Sequence, residues 1–309
     1  MHRVSSGLRV GRASGSEDNH DSGRDSNAIE NIDRAMALGV FLNVGFVIVE
    51  FGFGVVSGSL ALIADAGHNA SDVLGLLLAW GADYLARRPP TRKYTWGLRR
   101  STIYAAFLNA VFLLVACGGI LWEAWHRFTD PQPVEGPTII IVALLGVLIN
   151  SLTAFLFLRG HHDANIRGAF LHMVADAAIS VGVVVAGVGI LLTGMVWIDP
   201  VVSVLITVAI VIGTWGLLRE SIELAFDAVP RGIDIDLVET ALKEVSGVVA
   251  IHDLHVWGMS TSETSLTAHL LVSREADQVM VLRATKAVLR QNFHISHSTI
   301  QLESAPIPS

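Results

Sequence analysis

Four ionisable side chains occur as two pairs inside otherwise apolar segments. His68 and Asp72 lie in LIADAGHNASD, and His172 and Asp176 lie in LHMVADAAIS. In each pair the two residues are four apart, so on a helix they share one face. One imidazole and one carboxylate from each of two helices supply four ligands, the number that a tetrahedral divalent ion requires. The spacing therefore predicts a metal site between two helices.

An alternative explanation is that each pair is a structural hydrogen bond that holds helices together. A charged side chain near the middle of a bilayer costs about 2.5 to 3.5 kcal/mol on insertion scales, so such residues usually serve a function. The same spacing occurs in two separate segments, with no other buried cation to neutralise the aspartates. This repetition favours the metal site over the structural explanation.

Other polar residues of the apolar segments have less certain roles. Asp65 lies one turn before the first histidine on the same face, where capping or bonding within the bundle explains it as well as metal ligation does. Asn43 and Glu50 are seven residues apart and share a face, so they line a hydrated path, orient metal ligands or pack helices together. Asn109 and Asn150 are expected to form interhelical hydrogen bonds.

The composition indicates a membrane protein. The chain is 52% hydrophobic and 16% charged, whereas ordinary soluble domains contain about 25% charged residues. Cys117 is the only cysteine, which excludes an intrachain disulfide and a thiolate metal cluster. Any metal site must therefore use His, Asp and Glu. Because the composition is that of a membrane protein, we expect membrane lipid as a partner and no nucleic acid.

Six segments are long enough to cross a membrane. Crossing about 30 Å of hydrocarbon takes about 20 helical residues, and backbone groups in lipid must be satisfied internally, so all six are predicted to be helices. Asp199 followed by Pro200 predicts the N-cap and first helical position of the sixth. The predicted spans are residues 35–56, 60–86, 102–126, 138–158, 168–193 and 200–225.

The distribution of Lys and Arg predicts the orientation. The connection between the second and third spans is RRPPTRKYTWGLRR, whereas the connections on the opposite side contain Arg127 and little else that is basic. The positive-inside rule places the basic connections and both termini in the cytoplasm. Residues 1–31 are rich in Gly, Ser and charge and are predicted to be a disordered cytoplasmic tail without a secretory signal. We therefore expect a multi-pass protein of the cell inner (plasma) membrane.

A small cytoplasmic domain is predicted after the last span. IDIDLVETALKEV and QVMVLRATKAVLRQNF have helical periodicity, and VVAIHDLHVW, TSLTAHLLV and HSTIQLE are typical of strands. This order predicts a small C-terminal α+β (ferredoxin-like) domain. The chain is thus predicted to be an α-helical membrane protein with a tail at 1–31, six transmembrane helices within 32–228, and a cytoplasmic domain at 229–309, to which the family resemblance described next assigns metal binding and dimerisation.

Several of these stretches, in the same order, resemble the cation diffusion facilitator family of zinc and heavy-metal exporters. They are GSLALIADAGHNASD, KYTWGLRR, LHMVADAAIS, DLHVW and TIQLE. The resemblance implies a homodimer of six-span protomers that exchange metal for protons. It places His68, Asp72, His172 and Asp176 at the transport site, where His as the first ligand is similar to the zinc-preferring branch.

The resemblance also implies two further features and one departure. Arg100 and Asp227 fall at positions that pair near the membrane exit. Some family members carry a second site in the connection between spans two and three, but Arg92, Tyr94 and Leu98 stand there. Since none of these side chains suits a divalent ion, we expect no metal site in that connection.

The soluble domain contains a second group of histidines. By resemblance, a cytoplasmic metal site would use His252, His269, Glu303 and His297, although these residues are also consistent with surface positions on a small sheet. Alternation along a strand predicts that His252 and His255 lie on opposite faces. His255 and Trp257 are therefore expected to serve the fold or a dimer contact.

These observations predict an exporter of zinc, by proton-coupled antiport with alternating access, and not an enzyme. Two aspartates are neutralised equally by Zn²⁺ and by two protonated histidines, and protons compete with metal for the same nitrogens. Cd²⁺, Co²⁺ and Ni²⁺ suit the same ligands, and no organic cofactor is expected. A metal-responsive membrane sensor and an intramembrane metallohydrolase are the alternatives, although the chain has no HExxH motif.

Overall fold

The described residues form six long helices followed by a small α+β unit. The computed structural model describes residues 41–158 and 164–304, so the predicted tail at 1–31 lies outside the described residues. The long helices are α1 (Phe41–Ser57 in its described part), α2 (Leu60–Ala86), α3 (Ser101–Thr129), α4 (Gly136–Leu158), α5 (Ala164–Thr193) and α6 (Ile198–Ala225).

Four of these helices, α3 to α6, are long and apolar enough to cross a membrane. The described part of α1 is apolar but shorter, and α2 carries Asp65, Asp72 and Asp83. Both helices nevertheless occur where the apolar pattern predicted them. The chain therefore has a helical membrane domain with four apolar spans, in which α2 is the more polar member.

The bundle consists mainly of two helix pairs, which meet through α2 and through a contact between α5 and α6. Helix α4 packs along α5, α3 packs along α6, and α2 contacts α3, α5 and α6. A continuous apolar cluster fills the space between them and includes Leu62, Leu113, Ile139 and Val183. The two helices that carry the paired His and Asp residues are thus neighbours in the bundle.

The turn between α1 and α2 sets the position of α2. Gly58 has a φ of +69°, and a Cβ there would lie 2.8 Å from the carbonyl oxygen of Pro133, so a glycine is required. Ser59 is the N-cap of α2, where its hydroxyl accepts the N–H of Leu62. This end of the bundle, at which α2 begins and α6 starts, is called the far end, because α6 leads away from it to the C-terminal unit.

Asp199 has a different role from the one predicted. Helix α6 begins at Ile198, so Asp199 lies inside its first turn, and its buried carboxylate accepts the N–H groups of Leu60 and Ala61 and the hydroxyl of Ser59. The acidic group therefore caps α2 and not α6. The prediction was wrong because Asp–Pro is a local signal, whereas the unsatisfied donors of α2 lie across the bundle.

The expected interhelical hydrogen bonds of Asn109 and Asn150 are not formed among the described residues. The side-chain oxygens of both residues are buried without a partner there. The amide of Asn109 instead packs against Gly75 of α2, at a point where a Cβ would lie 2.8 Å from its nitrogen. At this position the asparagine contributes close helix packing.

The C-terminal unit follows the predicted order of helix, two strands, helix and strand. Its elements are α7 (Ile235–Lys243), β1 (Val248–Gly258), β2 (Thr264–Val272), α8 (Gln278–Phe293) and β3 (His297–Ser304). The sheet order is β1-β2-β3, with β1 antiparallel and β3 parallel to β2. Apolar side chains of one sheet face pack against α7 and α8, which leaves the other face to polar residues.

Polar contacts join the C-terminal unit to the basic connection between α2 and α3. Arg99 pairs with Glu263 of the C-terminal unit at 2.7 Å, and Arg100 pairs with Asp227, which lies just after α6, as the resemblance implied. The ring of Trp96 also meets that of His297 edge to face, with centroids 4.7 Å apart. The basic connection and the C-terminal unit therefore lie on one side of the bundle, opposite the far end.

Candidate metal centres

The fold brings the four paired residues into one group between α2 and α5. Nε2 of His68 lies 3.7 Å from the carboxylate of Asp72 and 3.4 Å from that of Asp176. Nε2 of His172 lies 3.2 Å from Asp72 and 3.6 Å from Asp176. Each histidine therefore faces both aspartates, and the two helices contribute equally to the group.

These distances are close to those between ligand atoms of a tetrahedral zinc site. One ligand atom each from His68, Asp72 and Asp176 lie within 4.8 Å of one another, whereas His172 is not part of that close set. Bonds of about 2.0 to 2.2 Å at tetrahedral angles place neighbouring ligand atoms about 3.3 to 3.5 Å apart. The four N–O separations of the group, from 3.2 to 3.7 Å, bracket that value. The rings of His68 and His172 are inclined at 75° with centroids 6.0 Å apart, which keeps both Nε2 atoms directed at the carboxylates.

The group is deep at one end and open at the other. The side chains of Asp176 and His68 are 1% and 16% exposed, whereas those of Asp72 and His172 are 27% and 43% exposed. The two more exposed residues lie one helical turn nearer the C-terminal unit. An ion could therefore reach the group from that side of the bundle.

Asp176 has the least complete hydrogen bonding of the four. Both of its buried carboxylate oxygens lack a hydrogen-bond partner among the described residues. A buried, unpartnered carboxylate is costly unless a cation or a donor compensates it. The donor set therefore suits a divalent cation, and one imidazole with one carboxylate from each helix suits borderline Zn²⁺ better than Mg²⁺ or Ca²⁺, which prefer six or more oxygens.

Asp65 contacts other groups, although it shares the helix face of the ligands. Its Oδ2 accepts the hydroxyl of Ser180 at 3.0 Å, and Glu50 accepts an N–H of Asn69 at 3.2 Å. Neither acid is ion-paired with His68 among the described residues. These residues therefore form a separate buried polar group beside the four candidate ligands.

A second candidate metal centre lies on the polar face of the C-terminal sheet. One ligand atom each from His252, His269 and Glu303 lie within 4.8 Å of one another. The Glu303 carboxylate is 3.0 Å from Nε2 of His252 and 3.0 Å from Nδ1 of His269. Hydrogen bonds from His252 and Gln301 lower the pKa of Glu303 below its usual value, which keeps the carboxylate ionised for a cation.

Asp253 and His255 lie near this group, although the sequence analysis gave His255 a role in the fold or a dimer contact and gave Asp253 none. Asp253 bonds His255 at 3.0 Å and lies 3.6 Å from His269. A bulge interrupts β1 between His252 and His255, where Asp253 has a φ of +54°. A bulge inserts one residue and reverses the alternation beyond it.

His252 and His255 therefore lie on the same sheet face, and the prediction of opposite faces was wrong. Their cross-strand partners, His269 and Thr267, are two residues apart on β2 and so share a face. The only sequence signal is Asp253 itself, because Asp and Asn tolerate the left-handed region better than most residues.

The structure does not bring His297 to this group. His297 begins β3, whereas Glu303 lies near its end, and the His297 ring contacts Trp96 of the basic connection. An eight-residue strand at about 3.3 Å per residue separates its ends by more than 20 Å. Within one protomer, His297 is therefore a contact to the membrane domain.

Comparison with known proteins gives matches along nearly the whole chain. Residues 36–224 match the family model described as the cation efflux transmembrane domain, and residues 230–305 match that of the cation efflux protein, cytoplasmic domain. The zinc transporter ZitB of Escherichia coli (strain K12) is 36% identical over 90% of this chain and 89% of its own length.

Two other relatives match this chain over a similar share of its length. The metal cation efflux system protein CzcD of Cupriavidus metallidurans is 36% identical over 89% of this chain and 87% of its own length. The cadmium, cobalt and zinc/H(+)-K(+) antiporter of Bacillus velezensis is 31% identical over 88% of each chain. Similarity thus extends over both the helical and the C-terminal parts.

Proposed function

Because the chain belongs to the cation efflux family and is a metal cation exporter of the inner membrane, we propose that it carries zinc outward in exchange for protons. The transported ion is bound by His68, Asp72, His172 and Asp176. The observation that carries this proposal is the set of four N–O separations of 3.2 to 3.7 Å between α2 and α5. Zinc also appears in the names of two relatives, while Cd²⁺, Co²⁺ and Ni²⁺ share its ligand chemistry.

All six long helices span the membrane in this proposal. Helices α1 and α2 join the four apolar spans, since α2 faces α3, α5 and α6 and buries its aspartates among them. The side with the basic connection and the C-terminal domain is cytoplasmic by the positive-inside rule, so both termini are cytoplasmic. The domain is a ferredoxin-like βαββαβ unit without its first strand.

Charge balance explains the exchange. The two aspartates are neutralised by Zn²⁺ when metal is bound and by two protonated histidines when it is absent. A histidine must give up its proton to ligate, so metal and protons exclude each other at the same nitrogens. The group opens toward the cytoplasmic side at Asp72 and His172, where zinc enters, and alternating exposure of the same group releases it at the far end. The name of the Bacillus velezensis relative, an antiporter of metal and protons, supports this coupling.

The cytoplasmic centre has a regulatory role in this proposal. His252, His269 and Glu303 bind a metal ion on the polar face of the sheet, and Asp253 and His255 extend that group. This face is not covered by α7 or α8, so it is free to meet the same domain of a second protomer. Metal binding there brings the two domains of a homodimer closer and links cytoplasmic zinc to transport.

Reconstituted protein tests the proposed function. Zinc uptake into proteoliposomes is measured together with intravesicular pH, for the wild type and for Asp176→Ala. We expect zinc flux coupled to opposite proton movement in the wild type and neither in the variant. Zinc flux that ignores a pH gradient would refute the exchange, and flux that survives in the variant would refute the site.

A further inference from the structure

A fully buried polar group lies beside the proposed zinc ligands. Glu50 of α1, Asp65 and Asn69 of α2, and Ser180 of α5 all have 0% exposure. On α2, Asp65 lies one turn nearer the far end than His68. On α5, Ser180 lies one turn nearer the far end than Asp176. The group is therefore placed on the outward side of that site, where exchanged protons would arrive.

The two acids are neighbours without a compensating cation among the described residues. Glu50 accepts a hydrogen bond from Asn69, which lies one turn after Asp65 on the same face of α2, and the other titratable groups near the pair are His68 of α2 and Asp176 of α5. No Lys or Arg is ion-paired with either acid in the part of the chain that is described. Two ionised carboxylates that are buried side by side repel each other, so the pair is expected to carry a proton on one of them.

The surrounding donors leave one oxygen of each acid free. Asn69 donates to Oε2 of Glu50, and Ser180 donates to Oδ2 of Asp65. Oε1 of Glu50 and Oδ1 of Asp65 are buried without a partner among the described residues. The two free oxygens are thus the ones available to share a proton.

Asn69 provides an independent indication that this site holds a ligand. The Asn69 side chain is fully buried, and its amide nitrogen donates a hydrogen bond to Glu50. Its Oδ1 has no partner within the described residues. An unpartnered buried amide oxygen costs free energy unless a donor reaches it. A proton that moves with a water molecule supplies such a donor.

We propose that Glu50 and Asp65 together bind one exchangeable proton, at a site separate from the zinc ligands. When zinc binds to the four ligands, the pair changes from one protonated and one ionised acid to two ionised acids and one released proton, which adds to the protons released by the histidines. When zinc leaves toward the far end, the pair takes one proton back from that side. This inference rests on the proposed proton exchange and adds a proton carrier that does not ligate metal.

Proton release on zinc binding tests the proposal. Zinc is titrated calorimetrically into full-length protein in detergent, in two buffers of different ionisation enthalpy, with His269→Ala as the common background. Glu50→Gln and Asp65→Asn keep the shape of each side chain and an oxygen that can accept the hydrogen bond from Asn69 or Ser180. We expect each to release about one proton fewer per zinc, with a zinc Kd within about threefold of the background. The control Glu123→Gln, an acid-to-amide change at the far end, releases the same number as the background.

A release unchanged in both variants would overturn the proposal, as would loss of zinc binding in a variant that stays monodisperse. Infrared difference spectra of the wild type give a measurement that needs no variant. The C=O band of a protonated carboxyl disappears on zinc binding if the proposal is right, and its persistence refutes it. Proteoliposomes separate the two proposals: a wild type without coupled proton movement refutes the exchange, whereas coupled movement with unchanged stoichiometry in Glu50→Gln refutes only the acid pair.

Discussion

The carboxylate of Asp199, in the first turn of α6, accepts the backbone N–H of Leu60, the first residue of α2, at 2.7 Å. Arg127 of α3 lies 3.6 Å from the same carboxylate and also bonds Glu123. Three helices are therefore joined at the far end of the bundle. The helix that is held there, α2, is the one that carries His68 and Asp72.

Asp199→Ala is expected to destabilise the protein without removing a metal ligand. It leaves buried donors at the start of α2 unsatisfied, and loss of such a cap costs about 0.5 to 2 kcal/mol. Thermal unfolding in detergent should show a lower midpoint, while zinc binding persists below it. The matched control is Asp130→Ala, an exposed acid at the same end whose carboxylate accepts a hydrogen bond from Gln132. Equal midpoints for the two variants would contradict the capping role.

Zinc affinity at the transport site is expected to fall as the pH falls. Protonation of His68 or His172 removes the nitrogen lone pair that ligates, so the apparent Kd rises by up to about tenfold per pH unit for each proton displaced. Calorimetry of full-length His269→Ala from pH 8 downward measures this slope. A Kd that is independent of pH would contradict the ligand assignment.

The cytoplasmic centre is expected to bind zinc independently of the transport site. In Asp176→Ala, the remaining bound zinc should be lost on adding His269→Ala, because His269 contacts both Glu303 and Asp253. Adding His297→Ala should leave it in place, since that ring lies against Trp96. Metal content per protomer after gel filtration gives the readout. Loss of zinc with His297→Ala would mean that a second protomer brings His297 to the site.

The contact between Arg99 and Glu263 is expected to contribute little to stability on its own. Both side chains are more than a third exposed, and such pairs contribute about 0.2 to 1 kcal/mol. Arg99→Glu should lower the unfolding midpoint slightly at low salt, and adding Glu263→Arg should restore it. High salt should reduce the difference by screening. A large effect of Arg99→Glu that the second change does not restore would indicate another role for Arg99.

Features that depend on local periodicity followed from the sequence. The two His–Asp pairs showed their shared face through a spacing of four residues, and the structure places both pairs together. Strand β2 occupies the predicted residues, because polar and apolar residues alternate along most of it, from Ser265 to Leu270. For both features, the information lies within a few neighbouring residues.

Features that depend on an inserted residue or on a distant partner could not be predicted from the sequence. Asp253 reverses the alternation of β1, so a rule that counts every second residue fails beyond it. Asp199 caps a helix that begins 139 positions earlier, and no local pattern identifies that partner. The role of Asp65 also depends on Ser180 of α5, which only the packing of α2 against α5 brings near.

The cap of α2 at one end gives this helix the geometry of a lever. His68 lies about 12 Å from the capped residue Leu60, and Ala86 lies about 39 Å from it, at about 1.5 Å per residue. If α2 turns about its capped end as a rigid rod, Ala86 moves about three times as far as His68. In that case a small displacement at His68 is enlarged where α2 meets the basic connection, from which Arg99 contacts Glu263 of the C-terminal unit and Arg100 contacts Asp227 just after α6.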